Sequence, residues 1–232
     1  MRVLALYDIH GNLDALEAVL ADPRAQDPDV VLVGGDAVPG PSCAATLDRL
    51  AALPTRWVRG NGEREVATRD NEWGVITADE IGDARARALG NVPLTATIDG
   101  VLYCHATPRD DNTILTRISP RERYEQELEG VAERLVVAGH THQQHDVTVG
   151  PIRFINAGSV GLPYEGDGAA RWLWVQDGIP DLRQTPYDAR RAGEAMLRAG
   201  WPDERSITAA LIDPIDPDEI TRFFEQRARA GS

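Results

Sequence analysis

Apolar and polar positions come in alternating blocks along this chain. Val3 to Tyr7 is a β-rich apolar run; Leu13, Leu16 and Leu20 then recur at i, i+3 and i+7, one face of a helix for which Asn12 is the cap. The pattern repeats. Val30 to Val33 is a continuous apolar strand ending in Gly-Gly-Asp, Pro41 to Leu53 has helical spacing, and Trp57 and Val58 lead into another glycine turn. Strand, helix, strand, helix, strand predicts a parallel sheet with right-handed crossovers, whose ligands sit at the carboxyl ends of the strands. Asp8, Asp36 and Asn61 fall at those ends, so three residues distant in the chain are predicted to share one edge.

Glu63 to Leu89 reads as mainly helical, with an interruption near Gly74. Short β-like pieces follow: Leu94 to Ile98, Val101 to His105, Leu135 to Ala138, Asp146 to Val149, Ile152 to Ile155 and Arg171 to Val175, with Asp99-Gly100 and Gly150-Pro151 as turn signals. Tyr187 to Leu197 and Pro217 to Arg229 return to helical spacing. The predicted organisation is a main α/β domain over 1–184 and a helical appendage over 185–232 packed on it. There is no solenoid repeat and no low-complexity tract.

Charge changes the picture. Against 37 acidic residues stand 24 basic ones, a formal net charge of -13, which disfavours non-specific binding to duplex nucleic acid. A phosphate-bearing ligand would need a local source of positive charge, and a bound metal supplies one. The two cysteines, Cys43 and Cys104, have no CxxC spacing; the N-terminal MRVLALYD is too soon charged for a secretory signal; no apolar run approaches the ~20 residues of a membrane span. These features predict a soluble, cytoplasmic protein with reduced thiols.

The chemistry lies in two paired motifs. Asp8 and His10, and again His140 and His142, stand two apart after apolar strands; in extended backbone such residues project to one side and converge on one ion. With Asp36, Asn61 and His105 they make seven oxygen and nitrogen donors. Seven exceed the needs of one tetrahedral zinc and suit two ions of five or six coordination, bridged by one carboxylate, best assigned to Asp36. Imidazole and carboxylate without thiolate point to manganese first, with iron or zinc as alternatives. Two such ions lower the pKa of a shared water and clamp a phosphate under in-line attack, so phosphoester hydrolysis by a bridging hydroxide is the expected reaction.

These residues sit in ordered blocks: DIHGN (Asp8 to Asn12), GGD (Gly34 to Asp36), RGNGE (Arg59 to Glu63), CHATPRD (Cys104 to Asp110), AGHTH (Ala138 to His142) and NAGSVGLP (Asn156 to Pro163). The set resembles the calcineurin-like metallophosphoesterases over about residues 1 to 180. The C-terminal part is similar to that of bacterial members related to diadenosine tetraphosphatases and Ser/Thr phosphatase-like phosphoesterases. The resemblance implies a four-layer αββα sandwich with a dinuclear centre: Asp8, His10, Asp36 and His142 on one ion, and Asp36, Asn61, His105 and His140 on the other.

One position departs. Where the family usually has Gly-Asn-His-Asp/Glu, this chain has Gly60, Asn61, Gly62 and Glu63. The resemblance gives the missing histidine a part in protonating the leaving group, so diesters, anhydrides and activated esters become the expected substrates, unless His145 takes over as acid. Asn12, Arg64 and Arg109 are the candidate substrate contacts, the arginines through their forked donors. Asn156 to Pro163 reads as a turn bringing backbone close to the metals.

The expected function is therefore hydrolysis of a small phosphodiester or nucleotide polyphosphate, with Asp36, Asn61 and His105 as catalytic residues. The rival is a non-catalytic interaction module on the same metal-binding fold; a nuclease or phosphoprotein phosphatase is a third reading. Leu197, Phe223 and Phe224 offer an apolar face for a homo-oligomer, intramolecular packing being the commoner use of such residues.

Overall fold

A computed structural model describes residues 1–201 and 204–230. Its first sheet has strand order β10-β9-β1-β2-β3, where β1 is Arg2–Leu6, β2 Val30–Val33, β3 Thr55–Trp57, β9 Ala170–Gln176 and β10 Ile179–Thr185. The second has order β4-β5-β6-β8-β7, with β4 Thr95–Ile98, β5 Val101–Cys104, β6 Leu135–Ala138, β7 His145–Val149 and β8 Ile152–Asn156. Strands β1, β2 and β3 run parallel, as do β5, β6 and β8. The parallel central strands are apolar on both faces because both faces are covered.

Alternation along β1 shows why there are four layers. Val3, Ala5 and Tyr7 point inward and meet Tyr103, Val137 and Ile155 of the other sheet. Leu4 and Leu6 point outward against Leu16 and Val19 of α1 (Leu13–Ala21). On the far side, Leu102, Val136 and Phe154 pack under Tyr124 and Leu128, the former carried by α6 (Arg121–Glu127). The result is the predicted αββα sandwich. Asn12 caps α1, its side chain accepting from Ala15 N at 3.1 Å. Both cysteines are buried and free, and among the described residues no helix is long and apolar enough to cross a membrane.

Three sequence expectations need correction. The interruption expected near Gly74 lies a few residues earlier, at 69–71: Gly74 is buried in the first turn of α4 (Glu72–Ile81), and the helical stretch breaks at Arg69 (φ 57°), after α3 (Asn61–Thr68), and again at Gly82 (φ 86°), before α5 (Asp83–Gly90). Strand β10 was not anticipated; it pairs with β9 across Asp177 and Gly178, whose φ of 52° and 76° are those of a tight hairpin turn. The third concerns the backbone of the paired motifs and belongs to the site.

The C-terminal helices are α7 (Ala189–Arg198), α8 (Glu204–Ile207), running into a π-helical turn at Thr208–Ile212, and α9 (Pro217–Ala230). They share a cluster with the earlier segment: Met196, Trp201 and Leu211 pack with Trp73, Leu162 and Tyr164. Buried polar contacts fasten α9 as well. Thr221 Oγ1 donates to Gln143 Oε1 at 2.7 Å, and Thr116 Oγ1 to Glu225 Oε1 at 2.7 Å.

Candidate metal centre

The loops after β1, β2, β5, β6 and β8 meet at the carboxyl ends of the central strands. The first two are laced together by main-chain bonds from Asp8 N to Gly35 O (3.1 Å), His10 N to Asp36 O (3.0 Å) and Gly11 N to Ala37 O (3.0 Å). The loop after β8 closes over them: Ser159 Oγ and Gly161 N both donate to Asp8 O. A Cβ on Gly161 would lie 1.8 Å from Ile9 O, so only glycine permits this approach. Asn156 to Pro163 is thus the predicted turn.

Asp8, His10, Asp36, His140 and His142 all have left-handed backbone, with φ between 49° and 68°. The extended backbone assumed for Asp8-x-His10 and His140-x-His142 is therefore wrong. Each pair converges through two left-handed residues instead, a conformation that Asp and His tolerate better than most residue types.

Ligand atoms of Asp8, His10 and His142 lie within 4.8 Å of one another, as do those of Asp8, Asp36 and His105. Asp8 Oδ1 is 3.3 Å from His142 Nε2 and 3.9 Å from His105 Nε2, while Asp36 Oδ2 is 3.5 Å from His105 Nε2 and 3.8 Å from His10 Nε2. Both carboxylates stand between the two sets of imidazoles. His140 packs edge-on to His105 with ring centroids 5.1 Å apart, and its main-chain N donates to Asp8 Oδ2. Asn61, His10, Asp36, His140 and His142 line a common pocket.

Ring orientation is fixed from behind. The Nδ1 atoms of His10, His105 and His142 face the carbonyls of Pro39 (3.1 Å), Gly34 (3.0 Å) and Leu162 (2.8 Å). Those carbonyls hold the proton on Nδ1 and present Nε2 as the electron pair. His140 is reversed, its Nε2 meeting Asn112 O at 3.0 Å, which presents Nδ1. Asn61 Nδ2 donates to Glu65 Oε1 at 3.1 Å, turning the amide oxygen the other way.

Asp8 Oδ1, Asn61 Oδ1 and His105 Nε2 are buried and have no hydrogen-bond partner. Burying acceptors without partners costs about 1–3 kcal/mol each, and three from chain-distant loops in one cluster fit a ligand that is itself an electron-pair acceptor. The residues present therefore suit divalent ions. Without an ion, the carboxylates and imidazoles act on one another. Burial is outweighed by His105 and His10 at Asp36, which is held well below the usual carboxylate range. Against the pull of burial, Asp36 and then Asp8 lift His105 to about 10, whereas burial, with His105 beside it, lowers His140 to about 4.

A match to the calcineurin-like phosphoesterase superfamily domain spans residues 1–175. The chain belongs to that superfamily. Among solved structures, a metallophosphoesterase from Sphaerobacter thermophilus has a TM-score of 0.77 at 22% identity, covering 93% of this chain and 99% of that one. A hypothetical protein, PH1004, from Pyrococcus horikoshii OT3 gives 0.76 at 18%, covering 90% and 97%. At these identities the likeness speaks for the fold. Comparison with curated proteins gives no significant match. As a calcineurin-like phosphoesterase the protein is a metal-dependent phosphoric ester hydrolase.

The remaining predicted residues lie away from this cluster or are engaged elsewhere. Asn12 Nδ2 donates to Gly161 O and Tyr187 Oη. Arg64 Nε is 3.2 Å from Asp111, and Arg109 pairs with the exposed Glu129 at 3.0 Å. His145 is buried beside Tyr124 Oη (2.9 Å) and Phe154, outside the pocket lining. Sequence reasoning missed two glutamates. Glu63 accepts from Asp36 N, Ala37 N and Gly60 N, each at 2.8 Å, and so pins the Asp36 loop to α3. Burial, then the Asp36 charge, pushes its carboxyl up to about 7, against those three donors. Glu65 orients Asn61. Their signal in the sequence was only position, one and three residues after the Asn-Gly pair.

Proposed function

We propose that Asp8, His10, Asp36 and His142 hold one divalent ion and Asp36, Asn61, His105 and His140 a second, and that a small phosphodiester or nucleotide polyphosphate is hydrolysed there. What supports this is the trio of buried atoms, one each from Asp8, Asn61 and His105, that have no hydrogen-bond partner, Asp8 and His105 having only the longer approaches of 3.3 Å to His142 and 3.5 Å to Asp36. The donor set suits manganese first, then iron or zinc. Such a pair of ions supplies a shared water of lowered pKa and a clamp for phosphoryl oxygens.

The chain's own residues position and neutralise. Backbone carbonyls aim three imidazoles, Glu65 aims the Asn61 amide, and Glu63 holds the loop carrying Asp36. Gly62 N donates to Asp36 Oδ1 at 2.7 Å, leaving Oδ2 toward the histidines. The segment from 185 onward acts as a wall of the substrate pocket packed on the 1–184 domain, since Met196, Trp201 and Phe224 line that pocket together with His10 and Asp36.

The test is to load the purified protein with manganese, count ions per chain by elemental analysis, and screen bis-nitrophenyl phosphate, nitrophenyl phosphate, cyclic nucleotides, dinucleoside polyphosphates and phosphopeptides. Two ions per chain with turnover of a diester or polyphosphate is the expected result. Two ions without turnover of any substrate favours the interaction module, and failure to take up metal ends the reading.

A further inference from the structure

The pocket that holds His10, Asp36 and His142 at one end continues into a chamber of a different character. Trp73 from α4, Leu162 and Tyr164 from the loop after β8, Met196 from α7, Trp201, and Phe224 from α9 line it. Its wall is continuous with the metal centre: the Tyr164 ring stacks on His142 at 4.9 Å between centroids with 14° between planes, and Phe224 stands 6.1 Å beyond. Trp73 and Trp201 meet edge to face at 5.9 Å. The cavity holds about 200 Å³, below the several hundred Å³ typical of sites for drug-sized ligands.

Charge narrows the occupant. No arginine or lysine lines this cavity among the described residues, and its Glu65 adds a carboxylate. Arg205 and Arg227 line the neighbouring cavity, which shares Tyr164 and Phe224 with this one. A phosphate chain extending from the metal centre would meet aromatic faces without a cation, whereas an uncharged planar group would find ring faces and edges on several sides.

We infer that this chamber is the subsite for the organic group of the substrate, and that this group is a single uncharged aromatic or similarly planar apolar ring rather than a further string of phosphates. The inference rests on the metal-centre reading above and selects within its substrate class. Trp73, Tyr164 and Phe224 are the specificity residues, and the segments that bring Trp73 and Phe224 into place lie outside the two sheets.

Two inert phosphonates with the same head group test it. Manganese-loaded protein is titrated with phenylphosphonate and with methylphosphonate by calorimetry, and tryptophan fluorescence is followed in parallel. Burial of the ring predicts about 30-fold tighter binding of the phenyl compound and a change in tryptophan emission. In Trp73→Ala and in Phe224→Ala, both at partly exposed positions and both checked for retained manganese uptake, the ratio falls below about threefold. Equal affinity of the two phosphonates in the unaltered protein, or a ratio that survives both substitutions, overturns the inference while leaving the metal-centre reading intact. Tripolyphosphate binding more tightly than phenylphosphonate overturns the preference for an uncharged group. Failure of both phosphonates to bind the manganese-loaded protein overturns the inference together with the reading beneath it.

Discussion

Gly62 is where this chain departs from the usual pattern of its superfamily, and the structure makes the departure a packing requirement. Gly62 is the second residue of α3, and its N–H donates to Asp36 Oδ1 at 2.7 Å. A Cβ there would sit 2.1 Å from Val38 O, 2.8 Å from Pro39 Cδ and 2.9 Å from Asp36 Oδ1. The nearest of these is a main-chain atom, so relief requires about 1 Å of backbone movement, and overpacking of that kind costs about 1–3 kcal/mol. The same movement stretches the bond to the Asp36 carboxylate, and hydrogen bonds to charged groups contribute about 1.5–3 kcal/mol.

Gly62→Ala is therefore expected to destabilise the metal-free protein by about 2–5 kcal/mol and to weaken manganese binding at least about tenfold by displacing Asp36. Gly62→His, which restores the residue type usual in the superfamily, has the same sign and a larger magnitude. Gly100→Ala is the comparator: its φ is +77° with nothing within 4 Å of the added Cβ, so it carries only the left-handed penalty of about 1–2 kcal/mol. Guanidinium unfolding of the metal-free variants and calorimetric titration with manganese give both numbers. Should Gly62→Ala keep its unfolding midpoint and its metal affinity, or should Gly62→His raise activity, the argument from space fails.

Manganese at 100 times its Kd should stabilise the protein by about 2.7 kcal/mol for each ion bound, seen as a rise in Tm of about 5–10 °C per ion that a chelator reverses. With a glycine at 62 and His145 outside the pocket, hydrolysis rates across a series of aryl esters should depend steeply on leaving-group pKa; a flat series would require an acid elsewhere in the site. His145 is held at about 4, chiefly by burial. The unfolded chain takes up that proton near pH 6.5 and the folded one only near 4, so stability falls by about 3 kcal/mol as pH is lowered through that window. His145→Gln should flatten this slope in denaturant titrations at a series of pH values. Glu63→Gln sets an amide N–H against backbone donors and should cost about 2–4 kcal/mol by the same unfolding assay.

Much of this was legible in the chain because chemistry and periodicity coincided. The strand Val30–Val33 was bounded correctly since four apolar residues end in Gly-Gly-Asp. The seven candidate donors stand out in the sequence because each follows a strand, and parallel strands deliver their carboxyl ends to one edge. What was not legible depended on long-range contact. In β10, exposed and half-exposed positions run through Ile-Pro-Asp-Leu-Arg-Gln and only Thr185 is buried, so no apolar period announces it. Glu63 looks like an ordinary helix-start acid, and its grip on Asp36 N and Ala37 N spans 27 and 26 residues. The aromatic chamber draws on Trp73, Tyr164, Trp201 and Phe224, which share no periodicity and meet only in the folded chain.

The left-handed backbone at five of the seven donors decides how far the site is built before any ion arrives. Each such residue costs on the order of 1–3 kcal/mol unless its surroundings impose it, and here they do: the Asp8, His10 and Gly11 amides are tied to the Asp36 loop, and the Asp8 carbonyl is held by Ser159 and Gly161. Those bonds hold the loops of Asp8, His10 and Asp36 together without any ion, so these candidate donors are placed by the fold. That separates two tasks in the molecule. On the proposed reading the strand ends, rigid and strained, would fix the atoms that meet the phosphate, while Trp73 of α4, Met196 of α7 and Phe224 of α9 would meet the rest of the substrate. Substitutions in those helices are expected to change which ester is accepted with little effect on the donor geometry, because none of the bonds that set the left-handed residues runs through them.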